Sequence, residues 1–168
     1  INSFIDGKVK ALLLSGTDMI SSFADVNRLK TGLDKMELIV CHDLFQNDTI
    51  REYADLVLPA TAWLEQLGCK STNTHLYLME KILSAPGETK TLSQILQAFA
   101  DKLNIDGFYP WESDEDFINE IINHPSTHHA TVKQLRKEGG MRELDISHVA
   151  HHEHNYSTPS GDRKSTRL

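Results

Sequence analysis

Three short apolar runs, each stopped by a residue ill suited to a buried strand, constrain the fold of this chain more than any other feature. "VKALLLSG" (9–16) stops at Gly16, "ELIVCHD" (37–43) at Asp43 and "DLVLP" (55–59) at Pro59. Runs that are apolar throughout, rather than alternating, are the pattern of strands covered on both faces, as parallel strands are. Between the first two lies "TDMISSFADVNRLKTGLDK", where Phe23, Val26, Leu29, Leu33 and Met36 recur at helical spacing with Ser21 or Ser22 as N-cap. Between the second and third lies the short helical "DTIREYA".

Strand, helix, strand, helix, strand with short links predicts parallel βαβ units. Right-handed crossovers then bring the strand C-termini to one edge, where open α/β sheets bind ligands. Gly16, Asp43 and Pro59 are expected on that edge. Pro59 ends its strand where a missing N–H forfeits no ladder bond, and the polar residues after it form the rim of a site.

The remainder of the chain supports one α/β domain over residues 1–143. "CKSTNTHLYLMEKIL" alternates and predicts one or two strands, and "SAPGETK" predicts a turn. "TLSQILQAFADKLN" is amphipathic through Leu92, Ile95, Leu96, Phe99 and Leu103. "SDEDFINEIINH" predicts a helix opened by Ser113, and "ATVKQLRKEGG" a shorter one stopped by its glycine pair. From about residue 144 the periodicity fades, and 144–168 is expected to be an extended or disordered tail.

With 168 residues, 39% of them hydrophobic and 24% charged, the chain has the composition of an ordinary globular domain with its own core. A net charge of −7 argues against a nucleic-acid surface, and the one basic cluster, Arg163, Lys164 and Arg167, sits in the tail. No apolar run reaches the roughly 20 residues that span a bilayer, and nothing in the sequence assigns a compartment. Cys41 and Cys69 lack zinc-type or CxxC spacing, and Cys41 reads as an inert core thiol. The chain begins with Ile1 rather than Met, and an internal fragment of a longer polypeptide is expected.

The order of "LLLSGTD", "ELIVCHDLFQNDTIREYADLVLPATAWLEQLG", "TNTH", "PGETK" and "YSTPSG" resembles the molybdopterin-dependent oxidoreductases of the dimethyl sulfoxide reductase and formate dehydrogenase superfamily. The most specific block is the second. In it a strand ends in Asp, Phe follows two residues later, a Thr precedes a helix, and Ala-Asp, an apolar triplet, Leu-Pro, Glu and Gly come in turn. The likeness covers roughly residues 8–104 and the "TPSG" near the end.

The resemblance implies a molybdenum or tungsten atom held by two pterin guanine dinucleotides, one of them bound by the strand-end loops of this α/β segment. It places Gly16, Thr17 and Asp18 in the first loop and Asp43 and Thr49 in the second, with Glu65 and His75 nearer the pterin. The residue types suit those roles: a Gly admits close approach to phosphate, a strand-end carboxylate accepts from guanine or ribose, and a helix N-terminus suits an anion. Many relatives have Asn-Pro where this chain has Thr17 and Asp18, and Gly-Arg where it has His75 and Leu76, which points to a subgroup. The family's iron–sulfur cysteines and its protein ligand to the metal lie upstream of such a segment, and a β-barrel lies downstream. The chain alone is thus expected to be an incomplete part of a bacterial-type enzyme, lacking the metal ligand and working with the other domains of its polypeptide and an electron-transfer subunit. "DRKSTRL" after Gly161 departs from the family and suggests a truncation or junction there.

Each candidate residue also has a purely structural reading. Asp43 could cap a loop, or act as a response-regulator phosphoacceptor were an acidic pair present at an earlier strand end. Asp55 is expected to cap or orient its strand, and Glu65 either to contact cofactor or to fix a loop, with proton transfer assigned to neither. His75 faces cofactor or is a hydrogen-bonded structural histidine. Trp63 and "FYPW" read as packing residues. In "HVAHHEH" (148–154), His151 and His154 have the spacing to chelate a transition metal, but a solvated surface run is the expectation. The rival reading of the whole chain is a stand-alone α/β nucleotide- or phosphate-binding module without catalysis.

Overall fold

The computed structural model describes residues 1–147 and, beyond them, 149, 151, 153, 156 and 158–161. The chain divides into two units, the first made of residues 1–68 and 80–114, the second of 69–79 and 115 onward. Much of the histidine-rich stretch, His148, His152 and His154 included, and the terminal basic residues lie outside the described residues.

In the first unit β1 (Ala11–Ser15), β2 (Leu38–Asp43) and β3 (Leu56–Pro59) form a parallel sheet in the order β1-β2-β3. Ser15 lies opposite His42, and Asp43 opposite Pro59, so the three strands end level with one another. This is the α/β architecture the apolar runs imply. Of the three strands, only the central β2 is buried along most of its length, while Leu56 and Val57 on β3 stay 50% and 41% exposed. Strand pairing also passes Pro59. Ala60 N donates to Asp43 O at 3.1 Å, and Lys90 N donates to Pro59 O at 3.0 Å, which annexes residue 90 as a further parallel partner beside Ala60.

The crossover from β1 to β2 is not one helix but two, α2 (Met19–Ser22) and α3 (Val26–Leu33). The N-cap of α3 is Asp25, whose carboxylate accepts from Arg28 N at 3.1 Å, rather than Ser21 or Ser22. Asp is as good a cap as Ser, and the extended Phe23 breaks the helical period, which leaves its ring 42% exposed. A short helix absent from the sequence reading, α1 (Asn2–Ile5), packs on α3 where Gly32 removes the side chain: a Cβ there would sit 2.8 Å from Phe4 Cβ. The core gathers Leu14, Leu29, Leu33, Ile39, Cys41 and Ile50. Cys41 is 2% exposed, and burial raises its thiol pKa and keeps it protonated.

After β2 comes α4 (Asp48–Tyr53), and α5 (Leu92–Leu103) follows residue 90, opened by the reciprocal bonds of Thr91 and Gln94. Asp55 does orient its strand, because Ile39 N donates to its Oδ2 at 2.7 Å.

The second unit holds β4 (Gly68–Ser71), which begins at the last residue of the first unit, with β5 (His75–Met79) and β6 (Met141–Glu143) in the order β4-β5-β6. Its helices are α6 (Asp114–Ile122), which starts one residue earlier, and α7 (Val132–Lys137). Gly139 and Gly140, at φ +82° and +81°, terminate α7 in a conformation that side chains resist. Among the described residues, no helix is long and apolar enough to cross a membrane.

Candidate functional site

The level strand ends of the first unit build a small site from backbone outward. Gly16 leaves β1 at φ +59° and donates its N–H to His42 O at 3.0 Å. An added Cβ would meet nothing within 4 Å, so conformation rather than crowding calls for glycine, and the backbone there stays open to approach.

Asp43 ends β2 with its carboxylate already oriented. Oδ1 accepts from Leu44 N at 2.7 Å and from Phe45 N at 3.4 Å, and Oδ2 accepts from Asn47 Nδ2 at 3.2 Å. The same Asn47 caps α4 through Oδ1, which accepts from Ile50 N at 3.0 Å, and its Nδ2 also reaches Thr17 O at 3.4 Å. One side chain thereby ties the first loop, the second loop and a helix start together.

A second tie lies beside it. Thr49 donates to Asp18 Oδ1 at 2.6 Å and accepts from Ile20 N at 3.0 Å, while Ser21 donates to Asp18 Oδ2 at 2.7 Å. These bonds favour the charged carboxylate, chiefly the one from Thr49, and hold the Asp18 pKa down at about 2. Thr49 is 0% exposed, so its hydroxyl serves the loop from inside.

His42, absent from the residues singled out in the sequence, lies at the base of the edge and is 4% exposed. Its Nε2 is 2.9 Å from Lys90 O, which can only accept, so Nε2 carries the proton and Nδ1 accepts from Ser15 Oγ at 3.0 Å. Lys90 O also accepts from Thr61 N at 3.3 Å. Above this floor is a cleft of about 210 Å³ lined by Ser15, Gly16, His42, Asp43, Thr61 and Gln66 among others. Small-molecule sites run to roughly 300–1,000 Å³, so a cleft this size takes one ring and its substituents rather than a whole dinucleotide. Its lining carries a single formal charge, on Asp43, with Ser15, Thr61 and Gln66 as further polar groups and Leu44, Ala60 and Leu92 as apolar ones, a set suited to a planar ring with polar edges.

The structure therefore gathers Gly16, Thr17, Asp18, Asp43 and Thr49 around one edge. Glu65 ends a 3₁₀ turn (Trp63–Glu65) in the first unit, where its carboxylate accepts from Ala62 N at 2.8 Å and fixes that turn. Trp63 is 61% exposed. His75 belongs to β5 of the second unit, with Nδ1 2.8 Å from Thr74 Oγ1. The sequence reading missed Asn47, although Asn ahead of "DTI" is an N-cap signature. It missed His42 because a histidine inside an apolar run reads as core.

Residues 1–102 match the family model for molybdopterin oxidoreductases. The chain is 31% identical over 133 residues to the F420-dependent formate dehydrogenase subunit alpha of Methanocaldococcus jannaschii, an alignment covering 78% of this chain and 20% of that protein. It is likewise 31% identical over 142 residues to the assimilatory nitrate reductase catalytic subunit of Bacillus subtilis, covering 81% of this chain and 20% of the relative. The acetylene hydratase from Pelobacter acetylenicus shares the fold, with a TM-score of 0.76 at 20% identity over 96% of this chain and 22% of that one. The chain spans about a fifth of the length of these relatives.

Proposed function

From the premise that this chain belongs to the molybdopterin oxidoreductase family, we propose that its first unit binds one guanine dinucleotide arm of a bis-dinucleotide molybdenum or tungsten cofactor at the strand C-terminal edge. The observation that carries this reading is the Asp43 carboxylate, held by three hydrogen bonds beside the open backbone of Gly16 and lining the cleft. Guanine presents two adjacent N–H donors, which a fixed carboxylate accepts, and adenine presents no such pair.

The donor set fits the group. Gly16 leaves room for close backbone approach, Ser15 and Thr61 present hydroxyl oxygens as acceptors while their protons go to His42 Nδ1 and Gln66 Oε1, and the cleft volume matches a base rather than the full cofactor. Asp18 and Thr49 hold the first loop in shape. Glu65, in the same unit, completes the set assigned to the cofactor there, nearer its pterin. When bound, the metal supplies two-electron redox chemistry, while these residues bind and orient. In this reading the parent enzyme is a redox protein whose metal ligand and substrate funnel belong to the four-fifths of its relatives' length outside this stretch, and its electron-transfer partner is a separate subunit.

Calorimetric titration of the chain with guanosine and adenosine diphosphates tests this. Guanosine diphosphate is expected to bind more tightly, with shifts at the Gly16 and Leu44 amides, and Asp43→Asn to abolish the preference. Equal affinity for the two nucleotides, or no amide shift at millimolar guanosine diphosphate, overturns it.

A further inference from the structure

We infer that His42 is a positioning residue for the ligand of this cleft, fixing the far wall of the site by bonding β1 on one side and the residue-90 segment on the other; this rests on the nucleotide reading above. The backbone alone holds residue 90 at the edge by two bonds, Lys90 N to Pro59 O at 3.0 Å and Thr61 N to Lys90 O at 3.3 Å, the second of them long. The Nε2–H of His42 adds a third at 2.9 Å, from a ring that is 4% exposed and so poorly reached by competing water.

The ring is held in turn from Ser15, whose hydroxyl donates to Nδ1 at 3.0 Å. Two consequences join at the cleft. The next residues, Thr91 and Leu92, start α5, and Leu92 is part of the lining, so the third bond sets how near α5 begins to Gly16 and Asp43. The Ser15 hydroxyl, also lining the cleft, spends its proton on Nδ1 and presents only lone pairs to a ligand. The imidazole, bonded through Nε2 to Lys90 O and through Nδ1 to Ser15 Oγ, thus fixes both the width of the site and the polarity of one of its groups.

The test is titration of the whole chain with guanosine diphosphate, wild type against His42→Leu, His42→Gln and Ser15→Ala, with amide exchange recorded on each. His42→Leu is expected to weaken binding about tenfold, the equivalent of one lost buried hydrogen bond. His42→Gln, which retains a donor and an acceptor, is expected to recover part of that loss. Exchange at the Thr61 and Lys90 amides should accelerate in His42→Leu while the Leu14 and Val40 amides of the β1–β2 ladder stay protected, a local pattern that loss of overall stability does not give. The ¹⁵N shifts of the His42 ring should report the Nε2–H tautomer before and after ligand.

Wild-type affinity in His42→Leu overturns the inference, as does exchange that accelerates equally across the sheet. Should that variant not fold, Ser15→Ala decides by exchange rather than affinity, since Ser15 itself lines the cleft: faster exchange at the Thr61 and Lys90 amides supports the inference and unchanged exchange there overturns it. A wild-type chain that fails to bind the nucleotide defeats the nucleotide reading and this inference with it, whereas normal binding by a folded His42→Leu defeats the inference alone.

Discussion

Thr49 donates its hydroxyl proton to Asp18 Oδ1 across 2.6 Å, joining the loop after β1 to the first turn of α4 although the two residues are 31 positions apart. The family resemblance assigned both to the cofactor loops, and the structure gives each the other as a partner.

Thr49→Val keeps the shape of this contact and removes its proton. The Asp18 pKa is expected to rise from about 2 toward the ordinary 3.8, because the Thr49 bond is the largest cause of the depression. A depressed folded value means that the stability from this carboxylate is complete above about pH 4 and drains away as pH falls toward 2. Acid unfolding of the variant should lose that component, and carbon-detected titration of Asp18 measures the shift directly.

Gly32→Ala should destabilise, against its helix propensity. Alanine in an exposed helix gains up to about 1 kcal/mol over glycine, but overpacking costs typically about 1–3 kcal/mol. With Phe4 Cβ only 2.8 Å from the new methyl and both atoms fixed to backbone, neither can rotate away. Urea denaturation is expected to show a net loss of about 1–2 kcal/mol; a gain would mean that α1 gives way freely.

Asn47→Ser separates two roles of one side chain. Serine caps α4 as well as asparagine does, so the melting temperature should hardly move. The amide donor to Asp43 and Thr17 is lost, and affinity for guanosine diphosphate is expected to fall about threefold. Calorimetry and thermal melting on the same sample distinguish the two effects.

Thr91→Ala removes one half of the reciprocal cap of α5, the Gln94 N to Thr91 Oγ1 bond at 3.2 Å, and leaves the bond from residue 91 N to Gln94 Oε1 at 3.0 Å. A loss of about 1 kcal/mol in chemical denaturation is expected, and only a few tenths for Thr91→Gly.

The sheet was legible because its strands are apolar throughout and end on residues with distinct backbone or charge properties. Gly16, Asp43 and Pro59 could therefore be placed on one edge before any coordinates. The break at Phe23 was not, since Phe23 fits the helical period and only the geometry favours Asp25 as cap. Nor could the annexed segment be read: Lys90 joins the sheet through its peptide group, to which its side chain contributes no signal. His42 has the same cause behind it, because the acceptor that gives it a role is a carbonyl 48 residues away. Short-range signals mark where a chain turns, and contacts between distant backbone groups depend on the finished topology.

Because residues 69–79 belong to the second unit, the first is written in two instalments, and the residue-90 wall lies in the later one. As the chain emerges from its N-terminus, β1, β2 and β3 can pair while the acceptor for His42 Nε2 has yet to be made. The strands and their loops thus come early and the cleft late, and a polypeptide halted before residue 90 would own the sheet without its pocket.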